Sequence, residues 1–239
     1  MKIDIIISAR DIIKEKIKGK NVLVIDMLRA TSVILTALDN GCLCVIPTLT
    51  TEEAINLKAS SNEEDIVLGG ERKAIKIPGF DLSNSPLEYN LDKVKGKTVI
   101  ITTTNGTRAI KGCLGAKHIF IGALINGMAA AKKLYSLKDD IVIVNAGTED
   151  EFSIDDFICS GYIISKLEKL SKEELELTDI AKTAKYIYNK NKDVISFLKN
   201  AKHYERLISL KLNEDLAYCL NKSIINIVPE YRDDKIIVD

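Results

Sequence analysis

The chain has 239 residues, of which 46% are hydrophobic, and 34 basic residues balance 34 acidic ones. That balance, without a long basic block, argues against nucleic acid as a main partner. No apolar run approaches the roughly 18 residues that a membrane span needs, and the composition leaves a homo-oligomer open. A cytoplasmic α/β protein is expected, with one large domain or two small ones.

The N-terminal run Met1-Lys-Ile-Asp-Ile-Ile-Ile7 is interrupted by Asp4 and too short for a signal peptide. Ile3 to Ile7 reads as a strand, and Lys14 to Lys20 as a polar connection. Val22-Leu-Val-Ile25 is an unbroken apolar run, the pattern of a strand buried on both faces. The apolar-periodic residues Val33, Ile34, Ala37 and Leu38 continue it as a helix that stops at Asn40-Gly41. Asp26 therefore stands at the carboxyl end of a buried strand, with Arg29, Thr31 and Ser32 in the next turn. In open α/β sheets ligands bind at that edge, and helix N-termini there attract anions.

Further strands are expected at Leu43 to Ile46 and at Ile66 to Leu68, the latter running into Gly69-Gly70-Glu71-Arg72. Thr51-Glu-Glu-Ala54 starts a helix by a capping pattern. The long loop to Ser85 holds Gly79-Phe80-Asp81-Leu82-Ser83-Asn84-Ser85-Pro86, and long loops in compact chains are usually functional. Ser85-Pro86-Leu87-Glu88 spells a capping box. A strand over Thr98 to Ile101 leads into Thr102-Thr103-Thr104-Asn105-Gly106-Thr107, a backbone cradle for an oxyanion or an ordinary Asn-Gly turn. A helix over Arg108 to Leu114, a strand over Ile119 to Ile121, a helix over Met128 to Leu134 and a strand over Ile141 to Val144 follow.

The two stretches match at an offset of 76, with Val24 on Ile100, Thr31 on Thr107 and Ile66 on Val142. This suggests two similar strand–helix–strand–helix–strand units, an internal duplication, with the active-site cleft between them. The first unit is placed at residues 1–95 and the second, with C-terminal helices, at 96–239. After Val144 comes an acidic cluster, Glu149 to Asp156, in which Ser153-x-x-Asp156 is also a capping box. A helix through Phe157 and Leu170, two or three more helices to Lys222, and a last strand over Ile224 to Val228 complete the reading.

The five cysteines form no Cys-x-x-Cys pair, and none has an arginine six residues on, so reduced core thiols are expected rather than a cysteine phosphatase. His118 and His203 are read as structural or exposed. Acid–base work then falls to carboxylates or metal-bound water. Asp26, Glu71 and Asp156, all placed after strands, suit a hard cation such as Mg2+, which takes a few carboxylates and keeps several waters.

Ile25-Asp-Met-Leu-Arg-Ala-Thr-Ser, Gly-Gly-Glu-Arg72, Gly-Phe-Asp-Leu-Ser-Asn-Ser-Pro86, Thr-Thr-Asn-Gly-Thr107 and Ser-Ile-Asp-Asp156 together resemble the 2-phosphosulfolactate phosphatase family. The resemblance implies Mg2+-dependent hydrolysis of a phosphate monoester of sulfolactate, a step of coenzyme M biosynthesis. It also implies a site lined by Asp26, Arg29, Glu71, Arg72, Asp81, Asn84, Asn105, Gly106, Thr107 and Asp156. Members often carry Gly-Asn where this chain has Ser83-Asn84. Within that frame Asp26, Arg29, Asp81 and Asp155 are assigned to catalysis, and Asp26, Glu71 and Asp156 to the metal. Thr31, Ser32, Arg72, Asn84, Ser85, Thr104, Asn105, Gly106 and Thr107 are assigned to the substrate, a small phosphate ester with further anionic groups. Leu28 breaks the Asp-x-Asp of haloacid-dehalogenase phosphatases, so metal-activated water is favoured over a phospho-aspartate. No Walker motif supports a nucleotide enzyme. The alternative from another class is a binding protein for a small organic phosphate or sulfonate.

Overall fold

A computed structural model describes residues 1–61, 65–199 and 201–238. The strands are β1 (Lys2–Ile6), β2 (Asn21–Ile25), β3 (Cys44–Thr48), β4 (Ile66–Arg72), β5 (Ile75–Lys76), β6 (Thr98–Thr102), β7 (His118–Gly122), β8 (Ile141–Asn145), β9 (Glu176–Leu177), β10 (Glu230–Arg232) and β11 (Lys235–Ile237). The helices are α1 (Lys14–Ile17), α2 (Ala30–Asp39), α3 (Thr51–Ser60), α4 (Leu91–Val94), α5 (Gly106–Gly112), α6 (Gly127–Leu137), α7 (Ile154–Leu170), α8 (Asp179–Lys190), α9 (Val194–Leu198), α10 (Lys202–Ser209) and α11 (Asn213–Cys219).

One mixed sheet runs β5-β4-β6-β3-β11-β10-β7-β2-β8-β1-β9. Every residue of β2, β6 and β8 is buried, which is why each reads as an unbroken run of mostly β-branched residues. Strands β4, β6 and β3 are mutually parallel, as are β7, β2, β8 and β1. The hairpin β10–β11 joins the two groups through antiparallel bridges at Glu230↔Phe120 and Ile236↔Val45.

The strands of the two matched stretches interleave. β6 lies between β3 and β4, while β2 lies between β7 and β8, so the sheet has no boundary at 95/96. Exchanging the stretches turns β4-β6-β3 into β8-β2-β7, which reverses the order and keeps the same strand neighbours, and the pairs Ile66↔Thr98 and Val142↔Val22 correspond at a shift of 76. At β4 the chain runs hard against β6. Gly70 has φ +144°, and a Cβ there would strike the carbonyl of Thr102.

Several local expectations are corrected. Residues 224–229 form no strand; Ile225 N–H donates to the Ile125 carbonyl at 2.8 Å in irregular backbone, and the terminal strands are β10 and β11. Four helices, not two or three, occupy the described part of 173–222, and Lys14–Ile17 is helical. Ser85 makes no capping bond before the short turn Pro86–Glu88. Glu88 instead accepts from Ser83 N–H at 2.6 Å and from Ser83 Oγ at 2.7 Å. Ser153 likewise makes no capping bond to α7.

Candidate active site

The carboxyl ends of β2, β4 and β6 converge on one cleft. Asp26 follows β2, and its backbone is held by the first turn of α2. Its N–H donates to Thr31 Oγ1 at 3.1 Å, and its carbonyl accepts from Thr31 N–H at 2.9 Å. Its Oδ1 accepts from Ala30 N–H at 3.3 Å, and its Oδ2 has no hydrogen-bond partner among the described residues. Oδ2 faces the start of α5. A Cβ on Gly106 would lie 2.7 Å from it and 2.6 Å from Ala30 Cβ, so a glycine alone lets α5 come this near. Burial, reinforced by the nearby Asp155 and Glu71 carboxylates, pushes the Asp26 carboxyl up to about 7; the Ala30 N–H and Arg29 oppose this without prevailing.

Thr103 and Thr107 brace the turn before α5. Thr107 N–H donates to Thr103 Oγ1 at 3.2 Å, and Thr103 N–H to Thr107 Oγ1 at 3.4 Å. Asn105, on the cleft wall, makes no side-chain cap. Glu71 ties this loop to the β4–β5 turn, accepting from Thr104 N–H at 2.7 Å and from Ala74 N–H at 2.6 Å. Each of its carboxylate oxygens keeps a further lone pair. Arg29 is buried in an ion pair with Asp215 of α11 and donates to the Ala74 carbonyl at 3.1 Å. Ser85 Oγ donates to the other Asp215 oxygen at 2.6 Å. Asn84 Oδ1 and Thr104 Oγ1 are buried without a partner, and both residues line the cleft. Leaving such atoms unpaired costs free energy unless a ligand or water satisfies them.

The far wall holds Thr148, Glu149, His203 and Arg206. Arg206 lies 3.2 Å from Glu149 Oε1, and Lys202 lies 3.6 Å from Oε2. His203 Nδ1 is 3.3 Å from Thr148 Oγ1 and 3.8 Å from Asp155 Oδ2. Asp155 is buried and accepts from Ser153 Oγ. Lys73, on the β4–β5 turn, is exposed and makes no ion pair among the described residues.

The structure therefore brings Asp26, Arg29, Glu71, Asn84, Thr104 and Asn105 to the cleft. It does not bring Asp81. That carboxylate sits at the outer edge of β4, accepting from Leu68 N–H at 2.8 Å and Lys58 Nζ at 3.1 Å. Arg72 is turned to the Glu71 and Leu49 carbonyls and to Thr102 Oγ1. Ser32 Oγ donates to the Met27 carbonyl at 2.8 Å. Thr31, Ser85 and Thr107 serve backbone and Asp215 as described. Asp156 spends both oxygens behind the cleft, on Met27 N–H at 2.9 Å and Gly147 N–H at 3.1 Å; burial, with Asp155 and Asp26 near, holds its carboxyl well above the usual range. His203, Arg206, Lys73 and Asp215 were not expected here. The three-residue spacing of His203 and Arg206 in α10, which puts them on one helix face, is the signal that could have found that pair. No local pattern marks Asp215.

The oxygen donors fit a hard cation. Asp26 Oδ2, Asn84 Oδ1 and Thr104 Oγ1 are without partners, and Glu71 has lone pairs to spare. Among the described residues no group of three or more His, Cys, Asp or Glu side chains could hold a metal by itself. An ion such as Mg2+, which binds through one or two carboxylates and completes its shell with water and substrate, is the kind this set suits.

Buried acids and unpartnered polar atoms gather at the carboxyl edge of parallel strands, the place where α/β proteins bind small ligands. Comparison with known proteins is more particular. The family model described as 2-phosphosulpholactate phosphatase matches residues 6–234. A Clostridium tetani protein named probable 2-phosphosulfolactate phosphatase is 61% identical over 97% of this chain and 98% of its own length. Proteins of the same name from Clostridium acetobutylicum and Clostridium beijerinckii are 58% and 57% identical, over 99% of this chain and 100% and 99% of theirs. The chain belongs to the 2-phosphosulpholactate phosphatase family, and it is a phosphoric monoester hydrolase.

Proposed function

We propose that the enzyme hydrolyses 2-phosphosulfolactate, or a closely related phosphorylated 2-hydroxy acid, to the free hydroxy acid and inorganic phosphate, with Mg2+ as cofactor. The observation that carries this reading is Asp26, whose unpartnered Oδ2 faces Gly106 amid buried acids and orphaned oxygens. The names of the relatives support the substrate. Asp26 and Glu71 would hold the ion. When bound, Mg2+ neutralises charge on the phosphoryl oxygens, the main requirement of phosphoryl transfer.

The chain's own residues do the rest. Gly106 leaves room for the phosphoryl group beside α5, and Asn105 and Thr104 offer it polar contacts. The substrate carries a phosphate, a sulfonate and a carboxylate, about four negative charges at neutral pH. Lys73 and Arg206 meet the distal groups at the rim. Arg29, its charge shared with Asp215, orients the ester with its remaining N–H groups. Water is the nucleophile. We place the enzyme in the cytoplasm, a reading supported by five buried free thiols.

The test is phosphate release from synthetic 2-phosphosulfolactate with Mg2+ and with chelator. Release that stops on chelation is expected. Tight capture of the ester without release would identify a binding protein instead.

A further inference from the structure

We propose that His203 is the proton donor to the leaving oxygen of the ester, an inference that rests on the phosphatase reading above. A secondary alkoxide is a poor leaving group, so its oxygen must gain a proton as the P–O bond breaks. The cleft offers few groups for this. Arg29 and Arg206 stay charged, and both Glu71 oxygens accept backbone N–H groups. Glu149 is engaged by Arg206 and Lys202, and Lys73 lies exposed at the rim. Asp26 belongs to the phosphoryl side, against Gly106. The other histidine, His118, is 2.7 Å from Glu230 on β10 and is not part of the cleft wall.

His203 is an imidazole, the side chain that exchanges protons near neutrality, and it stands on the cleft wall. Thr148 from the loop after β8 and Asp155 from α7 face its Nδ1, while Glu149 and Arg206 share the cleft wall with it and Lys202 precedes it on its own helix. Nδ1 looks at two oxygens, Thr148 Oγ1 at 3.3 Å and Asp155 Oδ2 at 3.8 Å. With Nδ1 turned to these oxygens, Nε2 is the ring nitrogen left to carry the proton given to the ester. Asp155 is pinned in turn by Ser153 Oγ, so the carboxylate that orients the ring is itself held. In the step the ester P–O bond breaks, the leaving oxygen takes the Nε2 proton, and water adds to phosphorus. The alcohol and dihydrogen phosphate result. His203 then regains a proton from solvent, and the phosphate releases one.

The experiment compares two esters in wild type, His203→Asn and His203→Gln. One is an alkyl ester, 2-phospholactate. The other is 4-nitrophenyl phosphate, whose phenolate leaves without help. Both variants should lose about 100-fold or more in kcat on the alkyl ester and less than about threefold on the aryl ester. The fall of alkyl-ester kcat at high pH should also disappear. Retained aryl-ester turnover shows that the variant is folded. Equal losses on both esters in both variants, or no loss on either, would overturn the assignment while leaving the phosphatase reading intact. A wild-type enzyme inactive on both esters and on 2-phosphosulfolactate would overturn that reading and this inference with it.

Discussion

Arg29 and Asp215 form a buried ion pair across 186 residues of sequence, joining the turn after β2 to α11. Asp215 holds Ser85 as well, so one carboxylate fixes two walls of the cleft. Removing one partner of such a pair strands a buried charge, at a typical cost of about 3–5 kcal/mol. Asp215→Ala should therefore unfold at markedly lower urea concentration. Arg29→Met combined with Asp215→Leu should recover much of that stability but not turnover, because the cleft then lacks its guanidinium. Urea titrations read beside phosphate release check both halves.

Gly106→Ala tests the approach of α5 to Asp26. Its Cβ would fall 2.7 Å from Asp26 Oδ2 and 2.6 Å from Ala30 Cβ, both in packed surroundings. One of the two must move, and Ala30 begins a buried helix. Activity should fall by about 100-fold or more, while the helical content seen by circular dichroism holds. Near-normal kcat/KM would show that the Asp26–α5 geometry is not needed for turnover.

Asp26 also makes the metal-free protein sensitive to pH. Its carboxyl is pushed up to about 7 in the fold, first by burial and then by Asp155 and Glu71, whereas unfolded aspartate titrates near 3.9. The fold thus favours the protonated form. The contribution is fully present below about pH 4 and is lost as pH rises through about 7. Without divalent ions, Asp26→Asn should match wild type at low pH and exceed its Tm above neutrality. Mg2+ should raise the wild-type Tm at pH 8 and leave the variant's almost unchanged. A wild-type Tm that climbs from pH 5 to 8 in chelator, with no gap to the variant, would contradict this.

Asp81 should behave in the opposite way. Burial would raise its carboxyl, but the Leu68 N–H and the Lys58 ammonium overcome that and hold it below its ordinary value. Its stabilisation is present above the unfolded value near 3.9 and disappears as pH falls below it. The side chain is about half exposed, which weakens the ion pair, so Asp81→Asn should cost only about 0.5–1 kcal/mol at pH 7. It should leave kcat within about twofold. A hundredfold loss of kcat would return Asp81 to the catalytic machinery.

What the sequence determined by itself is what neighbours along the chain decide. An unbroken β-branched run makes a buried strand wherever it occurs, so β2, β6 and β8 could be read directly. Because ligands gather at the carboxyl ends of such strands, Asp26, Glu71, Thr104 and Asn105 were legible with them. Only the tertiary structure decided which distant groups meet. Asp81 stands out in its long loop and Asp215 does not, yet Asp81 lies at the outer edge of β4 beside Lys58 and Asp215 is buried beneath Arg29. Asp156 reads as a helix cap, but the path of the chain sets it under Met27 and Gly147, whose N–H groups take both its oxygens. His203 and Arg206 look like solvated helix residues until α10 is laid across the cleft. Helices and strands follow from period and local backbone preference, whereas an ion pair or a site needs two groups within a few ångströms. That proximity depends on the interleaved order of the strands, which no local pattern encodes.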